Sequence, residues 1–350
     1  MAGKNLALTL GAASLGAWLA IRALRSRAVY ELRGKVALIT GGARGLGLVL
    51  ARQMAREGAR LAICARDSDE LDRARHDLVD RGATVVAVPC DLRDRAQVQS
   101  MIETIRRELG PVDVLVNNAG IISVGPVETM KLEDFEEAMR SNFWSAVYTI
   151  LEVLPEMRRR HSGRIVNITS IGGKVSVPHL LPYGASKFAL VGLSEGLRAE
   201  LASESVMVTT VCPGLMRTGS PRNALFKGQH RAEFAWFSIG DSLPVASMSA
   251  ERAARQIVEA CKKGTAEVVL SLPAKCAVAF HGLFPGLTAD LLGLVNRGLP
   301  GPGGIGQKQA LGKESQSFWA PSWLTILTER AARRNNEISN CRPQPLAQSS

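Results

Sequence analysis

A short apolar segment that leads directly into a glycine-rich turn constrains the fold of this chain more than any other feature. Residues 35–40 have the sequence KVALIT, which is typical of a strand buried on both faces. Gly41, Gly42, Gly45 and Gly47 follow, and a helical pattern begins there. Glycine permits a tight turn and a close backbone approach to a ligand, and a helix N-terminus favours an anion. The segment therefore predicts a phosphate-binding turn, with a purely structural turn as the alternative.

Apolar runs and amphipathic stretches continue to alternate along the chain. Further strands are predicted at 60–65, 83–88, 112–116, 164–169, 206–211 and 266–270, with helical patterns between them. With 46% of its 350 residues apolar, the chain can bury one substantial core. Strands that alternate with helices form a parallel sheet covered on both faces. The sequence thus predicts an α/β fold, a Rossmann-type doubly wound parallel sheet, in a single catalytic domain at residues 34–271.

The residue after the second strand indicates which nucleotide would bind. In folds of this type an acidic residue near this point binds the ribose 2′-hydroxyl of NAD. Here Arg66 follows the predicted strand 60–65, and Arg44 lies in the glycine-rich turn. Guanidinium groups pair well with phosphate, so both arginines are placed to meet a 2′-phosphate. This favours NADP(H) over NAD(H), with a solvated surface arginine as the alternative for each.

Three polar side chains are spaced so that they can converge on one carbonyl carbon. Tyr183 and Lys187 lie four residues apart where a helical pattern begins, and therefore on one helix face. Ser170 follows the predicted strand 164–169, at the sheet edge where open α/β folds bind ligands. A tyrosine phenol titrates at about pH 10, and a nearby ammonium favours the phenolate. We therefore expect Lys187 to lower the pKa of Tyr183 for acid–base chemistry beside a hydride donor.

Taken together, the motifs of residues 34–271 resemble those of the short-chain dehydrogenase/reductase family. They are TGxxxGxG at 40–47, an aspartate after the third strand, NNAG at 117–120, a helix asparagine, the serine, YxxxK, and PG followed by a threonine. The resemblance implies four catalytic residues, Asn142, Ser170, Tyr183 and Lys187. Tyr183 would exchange a proton with the substrate oxygen, and Ser170 would hydrogen-bond that oxygen. Lys187 would bind the nicotinamide ribose, and Asn142 would hold a water in the proton relay.

The resemblance also implies a cleft for NADP(H). Asp91 would contact the adenine, Asn118 and Gly120 would line the cleft, and Thr218 would reach the nicotinamide amide. The implied cofactor-binding residues are Gly41, Arg44, Gly45, Leu46, Gly47, Arg66, Asp91, Leu92, Asn118, Ala119, Gly120, Tyr183, Lys187, Pro213, Gly214 and Thr218. The family resemblance further implies a homo-oligomer, a dimer or a tetramer.

The spacing of the histidines and cysteines and the distribution of charge argue against several other classes of function. The five histidines are scattered and the six cysteines lack paired ligand spacing, so we expect no metal and free thiols in a reducing compartment. The net charge of +11 is concentrated at the ends of the chain. Basic ends beside apolar segments suit anionic lipid better than a DNA groove, so we expect a membrane partner and no nucleic acid.

Residues 1–33 are predicted to form an N-terminal membrane anchor and its basic flank. The segment from Leu6 to Ile21 carries no charge and is close to the length of about 20 residues that spans a bilayer. Four arginines follow it and only Lys4 precedes it, so the catalytic domain would face the cytoplasm. We predict a single-pass, uncleaved anchor; a cleaved secretory peptide and a mitochondrial presequence are the alternatives.

Two further segments follow the catalytic domain. Residues 272–300 form an apolar extension too interrupted to span a bilayer, which could lie at a membrane interface, cover the cleft, or pack against the core or a second subunit. Residues 301–350 are predicted as a Gly/Pro linker and a polar tail, disordered after Arg330.

The segment between Thr218 and Ser249 would close over the substrate in this family. It carries the apolar residues Leu225, Phe226, Phe234, Trp236, Phe237 and Leu243. They suggest a lipophilic substrate, although packing of this segment against the body explains them equally well. We therefore expect an NADP(H)-dependent oxidoreductase acting on a carbonyl or secondary alcohol of a steroid, retinoid or keto-lipid. The alternatives are a non-catalytic NADP-binding scaffold or redox sensor, and an isomerase or dehydratase on the same fold.

Overall fold

The computed structural model describes residues 29–244, 247–322 and 325–338. The predicted anchor at Leu6–Ile21 lies outside these residues. Seven parallel strands form the central sheet: β1 Val36–Thr40, β2 Arg60–Ala65, β3 Val85–Pro89, β4 Val114–Asn117, β5 Gly163–Ile168, β6 Val206–Pro213 and β7 Glu267–Leu270. Their order is β7-β6-β5-β4-β1-β2-β3. This confirms the predicted doubly wound sheet, because the chain leaves β1 in one direction and returns to β4 on its other side.

The helices are α1 Gly45–Arg56, α2 Ser68–Asp80, α3 Arg95–Leu109, α4 Leu132–Met139, α5 Ser145–Arg159, α6 Leu181–Glu200, α7 His230–Ser242, α8 Ala250–Lys263, α9 Leu272–Leu283, α10 Pro285–Arg297 and α11 Ile326–Arg334. Apolar residues of α1, α2 and α8 pack against one face of the sheet. Those of α3, α5 and α6 pack against the other face. The inner strands are thus buried on both sides, which explains their continuous apolar sequence, while the edge strands β3 and β7 are partly exposed.

The reversal of strand order places two turns next to each other. β1 pairs with β4 in parallel, with Ile39 opposite Val116. The glycine-rich turn follows β1 and residues 118–120 follow β4, so both lie at the carboxyl edge of the sheet. This edge is where open α/β sheets bind their ligands.

The segment that follows Thr218 forms a small cluster of its own. Phe226, Phe234 and Phe237 are buried, and the ring of Phe226 lies 5.5 Å from that of Phe234 and 6.0 Å from that of Phe237. These edge-to-face contacts hold α7 against the short strand Leu225–Phe226. These three aromatic residues therefore pack on one another and against Val124 and Leu180 of the body, as the packing alternative predicted, and their burial gives no support to an apolar substrate pocket.

The C-terminal region differs from the prediction. The sequence predicts disorder after Arg330, but α11 continues to Arg334 and buries Ala331 and Ala332. Ala332 packs on Gly219, where an added Cβ would lie 2.6 Å from the Ala332 Cα atom. Tertiary contacts thus order a segment whose polar composition alone indicated a tail.

The preceding helices α9 and α10 expose many of their large apolar side chains. Leu272 and Leu283 are exposed by 72% and 74% of their area, and Leu294 by 58%. In the described residues no helix is long and apolar enough to cross a membrane. Five of the six cysteines lie in the described residues, where all five are free thiols.

Candidate active site

The glycine-rich turn is fixed to the segment that follows β4 by hydrogen bonds. Asn118 donates from its side chain to the carbonyl oxygens of Thr40 (3.0 Å) and Gly41 (3.2 Å). The backbone amides of Asn118 and Ala119 donate to the Thr40 hydroxyl at 2.9 and 3.1 Å. A Cβ at Gly47 would lie 2.1 Å from the Gly41 oxygen, so only glycine fits there. The turn is a cradle of backbone at the N-terminus of α1, which fits the phosphates of a dinucleotide.

Asn142 lies in a turn of π-helix, Arg140–Trp144, between α4 and α5. It is 1% exposed, and its side chain bonds the amide of Ile121 at 2.8 Å and the carbonyl oxygen of Ile121 at 3.1 Å. It also donates to the Ser186 hydroxyl at 2.9 Å. A Cβ at Gly120 would lie 2.5 Å from Asn142 Oδ1 and 3.5 Å from Lys187 Nζ. Gly120 therefore lets these two polar groups approach the same part of the cleft.

Ser170, Tyr183 and Lys187 meet at the carboxyl end of β5. Ser170 caps a short 3₁₀ turn by accepting from the Gly172 amide at 3.0 Å, and it hydrogen-bonds Tyr183. A Cβ at Gly172 would lie 3.3 Å from a Tyr183 ring carbon and 3.4 Å from Ser170 Oγ. Lys187 is buried and donates to the Ile168 carbonyl oxygen at 3.0 Å. The predicted hydroxyl, phenol and ammonium thus come together in space.

The ionisation of this cluster differs from the prediction. Burial raises the pKa of Tyr183 to about 12, although the hydrogen bond with Ser170 opposes this shift. Burial also lowers the pKa of Lys187 to about 8. The expected lowering of the Tyr183 pKa by Lys187 is therefore not observed, because loss of hydration is the largest influence on both groups.

Asp241 is a site residue that the sequence did not predict. It lies on α7 and is 4% exposed. Burial raises its pKa to about 8, although a hydrogen bond from the Met216 backbone acts in the opposite direction. The charge of Asp241 contributes to the raised pKa of Tyr183. No spacing rule links residues 58 positions apart, so only the folded chain brings this carboxyl close to the phenol.

The predicted adenosine end of the cleft is rich in arginine. Arg44 donates to both carboxylate oxygens of Glu70, at 2.8 and 2.9 Å, while Arg66 is exposed. A hydrogen bond from Arg93 lowers the pKa of Asp91, and the charge of Arg66 adds to this effect. Leu46 and Leu92 are both buried. Arg44 is therefore already paired with a carboxylate, which the sequence did not indicate.

The predicted nicotinamide end lies beyond β6. Pro213 ends this strand, and a Cβ at Gly214 would lie 2.8 Å from the Ser271 hydroxyl oxygen, so glycine allows α9 to begin close by. Thr218 is buried and accepts from the Ser220 amide at 3.1 Å.

The chain's own residues 335–337 also reach the glycine-rich turn. The amide of Gly45 donates to the carbonyl oxygen of Asn335 at 2.9 Å. In the described ranges no group of three or more histidine, cysteine or acidic residues could hold a metal ion. The acids nearest the cleft, Glu70 and Asp91, pair with Arg44 and Arg93.

Comparisons with known proteins agree with this architecture. A family model described as short chain dehydrogenase matches residues 35–225. A dehydrogenase/reductase SDR family protein 7-like protein of Anopheles gambiae is 33% identical over 250 residues, which cover 70% of this chain and 77% of that protein. A granaticin polyketide synthase putative ketoacyl reductase of Streptomyces violaceoruber is 40% identical over 185 residues, 52% of this chain and 68% of that protein.

Solved structures show the same fold. A variant of the actinorhodin polyketide ketoreductase, crystallised with NADPH, has a TM-score of 0.61 and 30% identity, and covers 67% of this chain and 95% of its own. A short chain dehydrogenase/reductase from Burkholderia phymatum in complex with NAD has a TM-score of 0.69 and 26% identity, and covers 74% and 96%. From the matched family model, the sheet order and the glycine-rich turn, this chain belongs to the short-chain dehydrogenase family.

Proposed function

We propose that this protein is an NADP(H)-dependent oxidoreductase that reduces the carbonyl group, or oxidises the secondary alcohol, of a lipophilic substrate. The observation that carries the proposal is the meeting of Ser170, Tyr183 and Lys187 beside Gly120 and Asn142. These residues bring a proton donor, a hydrogen-bond donor and a cation to one edge of the sheet. Such groups stabilise a carbonyl oxygen, which gains negative charge when the carbonyl carbon receives a hydride.

Each polar group has a role that follows from its position. The nicotinamide, when bound, supplies or accepts the hydride. Tyr183 donates its proton to the substrate oxygen, and its raised pKa keeps the phenol protonated at neutral pH, which suits reduction. Ser170 donates a hydrogen bond to the same oxygen. Lys187 would bind the nicotinamide ribose, and Asn142 would hold a water that returns protons to the site.

The preference for NADP(H) rests on the arginines at the adenosine end. Arg66 is exposed at the end of β2, where an acidic residue would favour NAD. Arg44 lies in the turn itself and supports the same preference, although Glu70 competes for its guanidinium. The two solved relatives were crystallised with different cofactors, one with NADPH and one with NAD. The arginines, rather than the relatives, therefore support NADP(H).

Two observations support the proposed substrate class: the names of similar proteins and the exposed apolar side chains of α9 and α10. The ketoacyl reductase named above suggests a carbonyl on an acyl or polyketide chain. The exposed apolar side chains of α9 and α10 suit a lipid-like substrate or a membrane surface. We propose a keto-lipid, steroid or retinoid carbonyl, met by a domain anchored to the membrane through Leu6–Ile21 and assembled as a homo-oligomer.

One experiment tests the proposal. Detergent-solubilised protein is mixed with NADPH or NADH and a panel of acyl, steroid and retinoid ketones, and both cofactor absorbance and products are followed. Oxidation of NADPH with formation of the alcohol supports the proposal. Saturable NADPH binding without turnover across the panel would favour a scaffold or sensor. A changed substrate without net oxidation of the cofactor would favour an isomerase or dehydratase.

A further inference from the structure

The segment Asn335–Glu337, which follows α11, makes hydrogen bonds at the glycine-rich turn. The carbonyl oxygen of Asn335 accepts from the Gly45 amide at 2.9 Å. The side chain of Asn336 donates to the Ala43 carbonyl oxygen at 2.8 Å. Gly45 is the first residue of α1, the end of the helix that attracts anions. The segment therefore occupies one backbone donor that a phosphate group could use, the amide of Gly45, and lies beside it through the contact with Ala43.

Glu337 adds an acidic group to these contacts. Its side chain is 3% exposed, and one carboxylate oxygen lies 3.5 Å from Arg44 Nε. The same oxygen accepts a hydrogen bond from the side chain of Asn223. A Cβ at Gly45 would lie 2.7 Å from the other oxygen, so the carboxylate fills the space that this glycine leaves. An acid on the glycine turn, next to the arginine proposed for the 2′-phosphate, resembles a bound phosphate in charge and position.

Ion pairs and hydrogen bonds hold the segment and α11 in this place. Glu329 pairs with Arg222 at 3.1 Å, and Arg334 pairs with Glu251 at 3.3 Å. Asn336 accepts from Arg73 at 2.9 Å. The segment is thus docked on the glycine-rich turn, and α11 before it is docked on Arg222, in the segment that follows Thr218.

Other features of the docked segment are unfavourable. Asn335 is 1% exposed, yet neither polar atom of its side chain has a partner within the described residues. Burial raises the pKa of Glu337 to about 7, which reflects the unfavourable desolvation of its carboxylate. Asn336 adopts a left-handed backbone with φ of 60°. Buried polar groups without partners favour release. The segment is therefore held in place by specific contacts but can be displaced.

We propose that Asn335–Glu337 is a built-in competitor of the cofactor: it occupies the phosphate-binding part of the cleft, and the dinucleotide binds only when the segment leaves. The inference rests on the proposed function for the identity of that ligand. The apparent dissociation constant is raised by the reciprocal of the fraction of molecules in which the cradle is free. Changes that weaken the docked segment should therefore tighten cofactor binding.

Calorimetric titration of the full chain with NADPH, and with adenosine 2′,5′-bisphosphate, tests the proposal without requiring turnover. For a cradle that is free in one molecule in ten, Glu337→Gln should lower both dissociation constants, by about tenfold if it releases the segment completely. Asn336→Ala removes side-chain hydrogen bonds without changing charge, and should tighten binding in the same direction. Glu259→Gln, an exposed acid on α8, is the matched control and should change neither constant.

Hydrogen exchange provides a second measurement. The amides of Asn335 and Glu337 donate to the carbonyl oxygens of Ala331 and Ala332, both at 2.9 Å. Saturating NADPH should speed exchange of these amides if the segment is expelled. Slower or unchanged exchange in the NADPH complex would show that the segment stays over the bound cofactor, which would overturn the proposal.

The outcomes separate this proposal from the proposed function. Equal or weaker NADPH binding by Glu337→Gln and Asn336→Ala overturns the competitor and leaves the NADP(H) function standing. Preferential binding of NADH would contradict the proposed preference for NADP(H). The dissociation constants of the same two variants for NADH would then test whether the segment competes with the cofactor. If neither the wild type nor Glu337→Gln binds any nicotinamide cofactor, both proposals are wrong.

Discussion

The Nζ atom of Lys187 lies 5.8 Å from the centre of the Tyr183 ring and donates a hydrogen bond to the Ile168 carbonyl oxygen. Burial raises the pKa of Tyr183 to about 12 and lowers that of Lys187 to about 8. At neutral pH the phenol is therefore protonated and the ammonium charged. In this state the phenol carries the proton that the proposed reduction of a carbonyl requires.

Replacing Asp241 with Asn should lower the pKa of Tyr183. The carboxyl titrates at a pKa of about 8, so it is charged mainly above that pH, and its charge disfavours the phenolate. Removing it should move the acid limb of the pH profile for alcohol oxidation, which requires the phenolate, to lower pH by roughly one unit. The measurement is kcat/KM against pH. Asp290→Asn, an exposed change on α10, is the control, and a profile that stays fixed or moves upward would contradict this assignment.

Two glycine substitutions should have opposite effects on stability. A Cβ at Gly47 would lie 2.1 Å from the Gly41 oxygen, so Gly47→Ala must displace the turn and should reduce both stability and NADPH affinity. Gly192, on α6, has no atom within 4 Å of its ideal Cβ, and alanine there should stabilise the helix by about 0.5–1 kcal/mol. Urea unfolding of both variants measures this. A stable Gly47→Ala variant with normal affinity would contradict the cradle.

Hydrophobic periodicity and residue spacing were sufficient to predict the elements whose structure depends on nearby residues in the chain. The strands, the glycine turn and the positions of Ser170, Tyr183 and Lys187 follow from periodicity and spacing, and the sheet confirms the fold. The raised pKa of Tyr183 and the position of Asp241 could not be predicted, because burial and a residue on a distant helix produce them. Packing against Gly219 likewise orders the end of α11, residues 331–334, where the polar sequence indicated disorder.

Arg66→Ala should weaken NADPH binding while affecting NADH little, since only NADPH carries the 2′-phosphate that Arg66 is proposed to meet. One charge-assisted contact contributes roughly 1.5–3 kcal/mol, so the ratio of the two dissociation constants should change by at least about tenfold. Arg107→Ala, an exposed change on α3, is the matched control. An unchanged ratio in the Arg66 variant would remove this residue from cofactor selection.

The buried pair of Lys227 and Asp134 should stabilise the segment that follows Thr218. Both side chains are almost fully buried, and Asp134 also accepts from Gln309 at 2.7 Å. Lys227→Met leaves a buried carboxylate without its cation, and should reduce the free energy of unfolding by about 3–5 kcal/mol. Adding Asp134→Leu should recover part of this loss. Urea denaturation of the single and double variants tests the pair, and a single variant as stable as wild type would refute it.

The most direct test of the proposed function is the Tyr183→Phe variant, which removes the hydroxyl and keeps the ring. Its NADPH dissociation constant, from calorimetry, and its rate of NADPH oxidation with a ketone that the wild type reduces are measured on the same preparation. We predict unchanged NADPH binding and a fall in turnover of at least about 10²-fold, because the substrate oxygen loses its proton donor. Turnover close to that of the wild type, with NADPH bound equally well, would contradict the assignment of Tyr183 as the acid.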